Sequence, residues 1–409
     1  IEILGISKSP STGIKRGVVQ NIDETVSAIT KTIEEVQSAS GSVFTDVFVG
    51  IAGQHIKTIR NRGYINRDSY EDEITREDID DLIKEMYNIS IDVGEEIIHV
   101  LPQNFIVDNE TGIKNPVGML GRRVEANFHI VIGQITSARN IGKCISKAGL
   151  KLNELILEPL ASSAAVLTAD EKEAGVALVD IGGGTTDVAV YYDDIIRHTA
   201  VIPFGGDVVT KDIKEGCSIL QRQAELLKIQ YGSALGDIAR DDEVVSIPGI
   251  SGREPKEISL KSLAYIIQSR MEEILNAVLY EIENSGYYER LSAGIVITGG
   301  GALLKDLPQL VKFITGMDVR LGYPSELLAS ESVDDVNNPM FSTSVGLILK
   351  GWEFLEQHSG EYKGNEESTE ESTEETEDDE EQTEIQNKGF IGRLKQAFND
   401  IFEENDAEM

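Results

Sequence analysis

The segment DIGGGTTDVAV, Asp180 to Val190, sets three glycines between an aspartate and two threonines, with strand-forming residues on both sides. With β-branched strand residues on both sides of the glycines, the segment reads as strand, glycine turn, strand. Two purposes fit that reading. The glycines either supply positive φ for a hairpin, or they clear side chains from a concavity where backbone N–H groups hold a phosphate. In the second case Gly182, Gly183 and Gly184 present N–H groups, and Thr185 and Thr186 add hydroxyl donors. Asp180 beside a polyphosphate then requires a cation between them. Mg²⁺ suits this place because it keeps its waters and joins carboxylate to phosphate oxygens. No GxxxxGK[ST] occurs in the chain, and no GxGxxG opens a helix in a βαβ unit.

A second glycine cluster strengthens the phosphate reading. GIVITGGGALLKDLPQL, Gly294 to Leu310, reads as strand, glycine turn, helix, with Gly299, Gly300 and Gly301 placed to close on a nucleoside. Between the clusters, AELLK puts Glu225 and Lys228 three apart on one helical face. They either contact ribose and base or form an intrahelical ion pair. Upstream, Glu158 begins LEPLASSAAVL at a strand-to-helix junction. It either orients a water for attack on a γ-phosphate or interacts favourably with the helix N-terminus.

The 409 residues suggest two or more domains, and the formal net charge of -34 argues against nucleic acid as a partner. Thirteen acidic residues against Lys363 lie between Glu361 and Glu384, and removing that tract's -12 still leaves -22. Cys144 and Cys217 show no metal or redox spacing and favour a reducing compartment. IEIL followed by GISKSP reads as a strand entered part-way through a domain, as if the natural N-terminus were trimmed. Strands are expected at 47–52, 97–100, 104–107, 124–132, 176–181, 188–192 and 295–298, with further candidates within 243–258. Helices are expected at 74–87, capped by Thr75 and Asp78, and at 137–149, 159–169, 211–231, 260–285 and 342–354. From 359 to 388 the composition is that of a disordered acidic linker.

These motifs, in this order, resemble the actin-like ATPase superfamily. LEPLASSAA is similar to its first connecting motif, DIGGGTTDVAV to its second phosphate motif, GIVITGGGALLKDL to its adenosine motif and NPMFSTSVGLIL to its second connecting helix. Within that superfamily, HVLPQNFIVDNETGIKNPVGMLGRRVEANFHIV resembles the inserted subdomain of the FtsA family of bacterial cell-division proteins. The resemblance implies a two-domain actin-like (ribonuclease H-like) α/β fold with an inserted α+β subdomain. Its first domain spans 1–46 and 134–174, with the insert at 47–133. The second domain spans 175–212 and 291–338, with an outer subdomain at 213–290, and 339–358 is a connecting helix back to the first domain. The family's first phosphate hairpin, an Asp-x-Gly-Thr motif, is not found in the chain. ATP and Mg²⁺ are the implied cofactors. Asp180, through water to Mg²⁺, and Glu158 are the implied catalytic pair of what is at most a slow ATPase.

The resemblance further implies a filament-forming protein at the division site, peripheral on the cytoplasmic face of the membrane. It would bind the C-terminal peptide of FtsZ, tether FtsZ filaments and recruit later division proteins. The partner site falls within 214–290, where Arg270 is the candidate cation for an acidic, apolar peptide, or else a surface charge paired with Glu273 or another nearby acid. The last part, 389–409, reads as an amphipathic tail. At about 100° per residue, Phe390, Ile391, Leu394, Ala397, Phe398, Ile401 and Phe402 share one arc. That arc suits a membrane interface, or docking on the protein's own body or a partner, and the resemblance favours the membrane. Two other functions on this fold are a small-molecule kinase or phosphatase and a pilus-assembly platform.

Overall fold

The computed structural model describes residues 2–357 apart from 241, 250–253, 325–327 and 329–335. The chain opens with a short hairpin, β1 (Ile14–Lys15) and β2 (Val18–Val19), and then α1 (Ile22–Ser40). β3 (Asp46–Ile51) leads into β4 (Lys57–Asn66), α2 (Arg76–Met86), β5 (Glu95–Val107), β6 (Glu110–Ile113) and β7 (Arg123–Gln134). Next come α3 (Ile135–Lys147), β8 (Lys151–Leu157), α4 (Glu158–Val166) and α5 (Ala169–Ala174). The second domain begins with β9 (Val176–Ile181), β10 (Thr186–Tyr192) and β11 (Ile195–Ile202), then α6 (Gly206–Cys217) and α7 (Gln221–Tyr231). A hairpin of β12 (Val244–Ile247) and β13 (Lys256–Ser259) precedes the long α8 (Leu260–Asn284). The described part closes with β14 (Ile295–Thr298), α9 (Leu307–Thr315), β15 (Val319–Leu321) and α10 (Ser342–Gln357).

The second domain is built on one five-stranded sheet of order β11-β10-β9-β14-β15. β9, β10 and β11 form an antiparallel meander, while β14 runs parallel to β9 and to β15. β9 is buried at every residue, as a central strand covered on both faces must be. Its alternate residues feed two cores. Ala177, Val179 and Ile181 pack with α6 to α9, and Val176 and Leu178 pack with residues of α4 and α10. On the first side, α8 contributes Leu263, Ile267, Met271, Ile274, Val278 and Ile282, a spacing of three and four that keeps them on one face. Each such side chain contributes about 1.5–3 kcal/mol on full burial.

The insert carries its own sheet, β4-β7-β5-β6, all antiparallel, with α2 on one face and a separate core around Phe128, Leu82 and Ile74. Thr75 and Asp78 form the expected reciprocal cap of α2. The insert touches the second domain where Gln103 Nε2 donates to the Ile196 carbonyl at 2.5 Å and His129 Nε2 lies 2.9 Å from Thr199 Oγ1.

Several local expectations change. The runs 97–100 and 104–107 are one strand, β5. Pro102 is tolerated there because the pairing with β7 shifts register between Pro102 and Asn104 and β6 does not reach that far. The helix expected at 211–231 is two helices, α6 and α7, because Ser218 turns left-handed with φ 49°. The helix expected at 159–169 breaks into α4 and α5, with Thr168 capping the second. Residues 2–9 carry no strand assignment, since none of the described strands pairs with them. The acidic linker and the tail with Phe390, Ile391, Leu394, Phe398, Ile401 and Phe402 lie outside the described residues.

α4 and α10 cross in direct contact. A Cβ on Gly346 would stand 1.8 Å from the Ala161 carbonyl oxygen. Backbone on backbone cannot yield as a flexible side chain can. Gly346→Ala is therefore expected to destabilise the protein by about 3 kcal/mol or more, read as a lower urea midpoint at unchanged slope. An unaltered midpoint would show that the two helices separate freely.

Candidate nucleotide site

The site starts from the period of two in β9 and β10. Asp180 shares a face with Val176 and Leu178, and Asp187 shares the corresponding face with Ala189 and Tyr191. The two aspartates are direct cross-strand partners, so both carboxylates lie on the side of the sheet covered by α4 and α10. Glu158, at the start of α4, joins them. Asp180 is 5% exposed and Asp187 2%. Burial raises the proton affinity of Asp180, opposed by hydrogen bonds from Ser162 and Thr343. Burial, then the charges of Glu158 and Asp180, push Asp187 well above the usual carboxylate range. Glu158 is pushed up to about 7, by burial first and by Asp180 second.

Asp180 is held by both crossing helices. Ser162 Oγ on α4 donates to its Oδ2 at 2.5 Å, and Thr343 Oγ1 on α10 donates to the same oxygen at 3.0 Å. The two hydroxyls are 2.9 Å apart. Asp187 accepts from Thr185 Oγ1 at 3.3 Å through Oδ2, while its buried Oδ1 has no partner among the described residues.

The glycine turn joins β9 to β10 as expected, but not through unusual φ. None of Gly182, Gly183 and Gly184 lies in the left-handed region, so a demand for positive φ does not explain them. The glycine that close approach requires is Gly205, just before α6, where a Cβ would lie 2.5 Å from the Gly182 carbonyl oxygen. Gly182 N–H closes the turn onto the Thr185 carbonyl at 2.9 Å, and α6 caps the turn from outside. There Gly206 N–H donates to the Gly182 carbonyl at 2.9 Å and Asp207 N–H to the Gly183 carbonyl at 2.8 Å. With the carbonyls engaged, the N–H groups of Gly183 and Gly184 have no partner among the described residues. Thr185 and Thr186 point their hydroxyls inward, to Asp187 and to the Phe204 carbonyl, and so shape the turn.

The second triplet packs against the end of β9. Gly299 has φ 85°, and a Cβ there would lie 2.3 Å from Asp180 Oδ1, so glycine is required twice over. Gly301 lies against Ile181, and Gly300 has only Met340 nearby, at 3.9 Å from a built Cβ. Glu225 and Lys228 do form an ion pair, at 2.9 Å. Lys228 Nζ also donates to the Gly206 carbonyl at 3.0 Å and to Thr210 Oγ1 at 2.7 Å, and Thr210 bonds Glu225. The pair thus braces the N-terminal turn of α6 behind the glycine turn. Arg270 on α8 binds Asp212 and Glu273, both at 2.5 Å, which ties α8 to α6.

Sequence reasoning missed Asp187, Ser162 and Thr343. Asp187 stood inside the quoted motif, and pairing it with Asp180 across a two-strand register would have found it. The two hydroxyls carried no signal, since only tertiary packing brings α4 and α10 onto β9.

With this geometry in hand, comparison with known proteins is informative. Sequence profiles match for "Cell division protein FtsA" over residues 177–346 and for "SHS2 domain inserted in FTSA" over residues 53–132. The cell division protein FtsA of Pseudomonas aeruginosa is 41% identical over 352 residues, covering 86% of this chain and 83% of that protein. The chain belongs to the FtsA family. The FtsA of Neisseria meningitidis is 40% identical over 349 residues, covering 85% of this chain and 83% of that protein. Among solved structures, the PilM-PilN type IV pilus biogenesis complex matches with a TM-score of 0.57 at 15% identity, over 84% of this chain and 89% of that chain. That likeness shows the fold alone. FtsA membership assigns a role in cell division and agrees with the two-domain actin-like fold and its inserted subdomain. It leaves the kinase, phosphatase and pilus alternatives without support.

The raised Glu158 yields a pH prediction. A carboxyl that holds its proton to about 7 when folded, against 4.5 when free, adds stability that is fully present below about 4.5. That contribution is lost as pH rises through about 7. Glu158→Gln should therefore gain on the wild type by about 2 kcal/mol at pH 8, a figure reduced for the side chain's partial access to the cleft, with little difference near pH 5. Urea unfolding at the two pH values measures this, and parallel curves would remove the burial argument.

Proposed function

We propose that this FtsA-family chain binds ATP with Mg²⁺ at the two glycine turns and uses the bound nucleotide to set domain closure and self-assembly. The observation that carries the reading is the glycine turn 182–184. Its carbonyls are engaged by α6 while the N–H groups of Gly183 and Gly184 stay available beside a buried carboxylate. Such an arrangement suits a phosphate oxygen. The donor set also fits a divalent cation. Asp180 and Asp187 lie side by side with raised proton affinity, and Asp187 Oδ1 is buried without a partner. Among the described residues no group of three or more acidic, histidine or cysteine side chains converges as a direct metal site, so contact from Asp180 through water is the fitting mode. Mg²⁺ supplies charge neutralisation between carboxylate and phosphate. Glu158, with its proton affinity near neutrality, is suited to orient a water and accept its proton. Any turnover is slow, and the main role is structural and recruiting.

At the level of the cell, we read the chain as a filament-forming tether. It binds the C-terminal peptide of FtsZ on the outer subdomain near Arg270, holds FtsZ filaments at the inner face of the cytoplasmic membrane and recruits later division proteins. Among the described residues no helix is long and apolar enough to cross a membrane. We assign the membrane contact to the tail on its sequence pattern alone, in which Phe390, Ile391, Leu394, Phe398, Ile401 and Phe402 recur at helical spacing. A single such tail binds weakly, and polymerisation multiplies it through avidity.

Two measurements test this. Gly183→Val should weaken ATP binding at least tenfold in calorimetry, and an unchanged affinity would take the turn out of the site. Co-sedimentation with anionic liposomes should bring FtsZ down with the protein. The pair Phe398→Glu and Phe402→Glu should abolish it, whereas lipid binding that survives both would refute the tail assignment.

A further inference from the structure

The apex of the β1–β2 hairpin, in the first domain, reaches the glycine turn. A Cβ on Gly184 would lie 3.2 Å from the Arg16 backbone nitrogen and 3.3 Å from its Cα, so the apex packs directly on the turn. On its other side the apex is fixed by Gly17, with φ 73°, where a Cβ would stand 2.2 Å from the Ala52 carbonyl oxygen beyond the end of β3. The hairpin apex thus lies between Ala52 and the glycine turn, held there by its backbone, with Arg16 itself exposed.

Arg16 takes φ 51°. The other described non-glycine residues in that region are Asp108, Asn109, Asp193, Asp194, Ser218 and Asp306, short polar side chains of which Asp and Asn are the types that tolerate it. At Arg16 the hairpin imposes it: Arg16 and Gly17 form the two-residue loop between the paired Lys15 and Val18, and both take positive φ as a type I′ turn requires, so the φ fixes the backbone and says nothing of a ligand. In a chain of net charge -34, its guanidinium has no carboxylate partner among the described residues. Instead it lies 5.3 Å from the centre of the Phe204 ring. Phe204 belongs to the same construction, since its carbonyl receives the Thr186 hydroxyl at 2.8 Å. The ring therefore holds a cation against the β9–β10 turn, while the guanidinium keeps its N–H donors for another group.

We propose that Arg16 is a phosphate-binding residue, the first domain's cation for the terminal phosphates of a nucleoside polyphosphate held at Gly182–Gly184. This rests on the nucleotide reading of the same turn and adds to it a charged contact that comes from the opposite domain. Anion binding would then bridge a hairpin and a turn that already touch, so that contact would report nucleotide state across the cleft.

The experiment compares the full chain with Arg16→Gly and Arg16→Lys, measuring ATP, ADP and adenosine binding by calorimetry with Mg²⁺. Glycine accepts the left-handed φ without strain, so Arg16→Gly removes the cation and keeps the backbone. ATP affinity should fall about tenfold in Arg16→Gly and recover in part in Arg16→Lys. ADP should fall less, and adenosine should not change. Two outcomes overturn the proposal while leaving the nucleotide site intact. One is wild-type ATP affinity in Arg16→Gly. The other is an equal loss for ATP and adenosine, which marks a purely structural role. Failure of the wild-type chain to bind ATP is a different result, which removes the nucleotide reading itself and this inference with it.

Discussion

One carboxylate oxygen, Asp180 Oδ2, receives hydroxyl hydrogen bonds from two crossing helices. Ser162 reaches it from α4 and Thr343 from α10. A buried carboxylate without such donors would be costly. Through this contact the crossing helices are tied to the central strand β9, and through β9 to both glycine turns. The close approach at Gly346 and Ala161 makes the tie possible, because any side chain there would hold the helices apart.

The surroundings of Asp180 follow from that anchor. Gly299 must be glycine because the carboxylate's second oxygen occupies the space of a Cβ. Asp187 is brought alongside by strand register, and Glu158 by the start of α4. Three carboxylates in one buried cluster repel one another and retain protons. The same cluster stands next to the backbone N–H groups of Gly183 and Gly184. The ion pair of Glu225 and Lys228 contributes indirectly, by bracing α6 where it caps the turn.

Much of the fold was legible in advance where burial runs along one strand or helix. β9 and β14 are short continuous apolar runs, and α2, α8 and α10 carry apolar residues at helical spacing, patterns that packing reinforces. β4 was not legible, since KTIRNRGYIN mixes charge, asparagine and glycine on an edge strand that pairs with only one neighbour. β5 read as two strands because Pro102 has no N–H to give, and only the shifted register of β7 shows why none is needed. The break between α6 and α7 rests on one left-handed serine, which no periodicity announces.

For the site, the order of motifs along the chain was enough to name both glycine turns, Asp180 and Glu158, and to resemble the right family. Those features are local, because a turn and its flanking strands are set by neighbouring residues. What each group faces was decided by tertiary structure alone. The glycines of 182–184 proved not to need positive φ, the threonine hydroxyls turned inward, and Asp187, Ser162, Thr343 and the Arg16 backbone were brought near β9 or its turn from separate elements. Contacts between residues far apart in sequence depend on register and helix crossing, and those are properties of the packed whole.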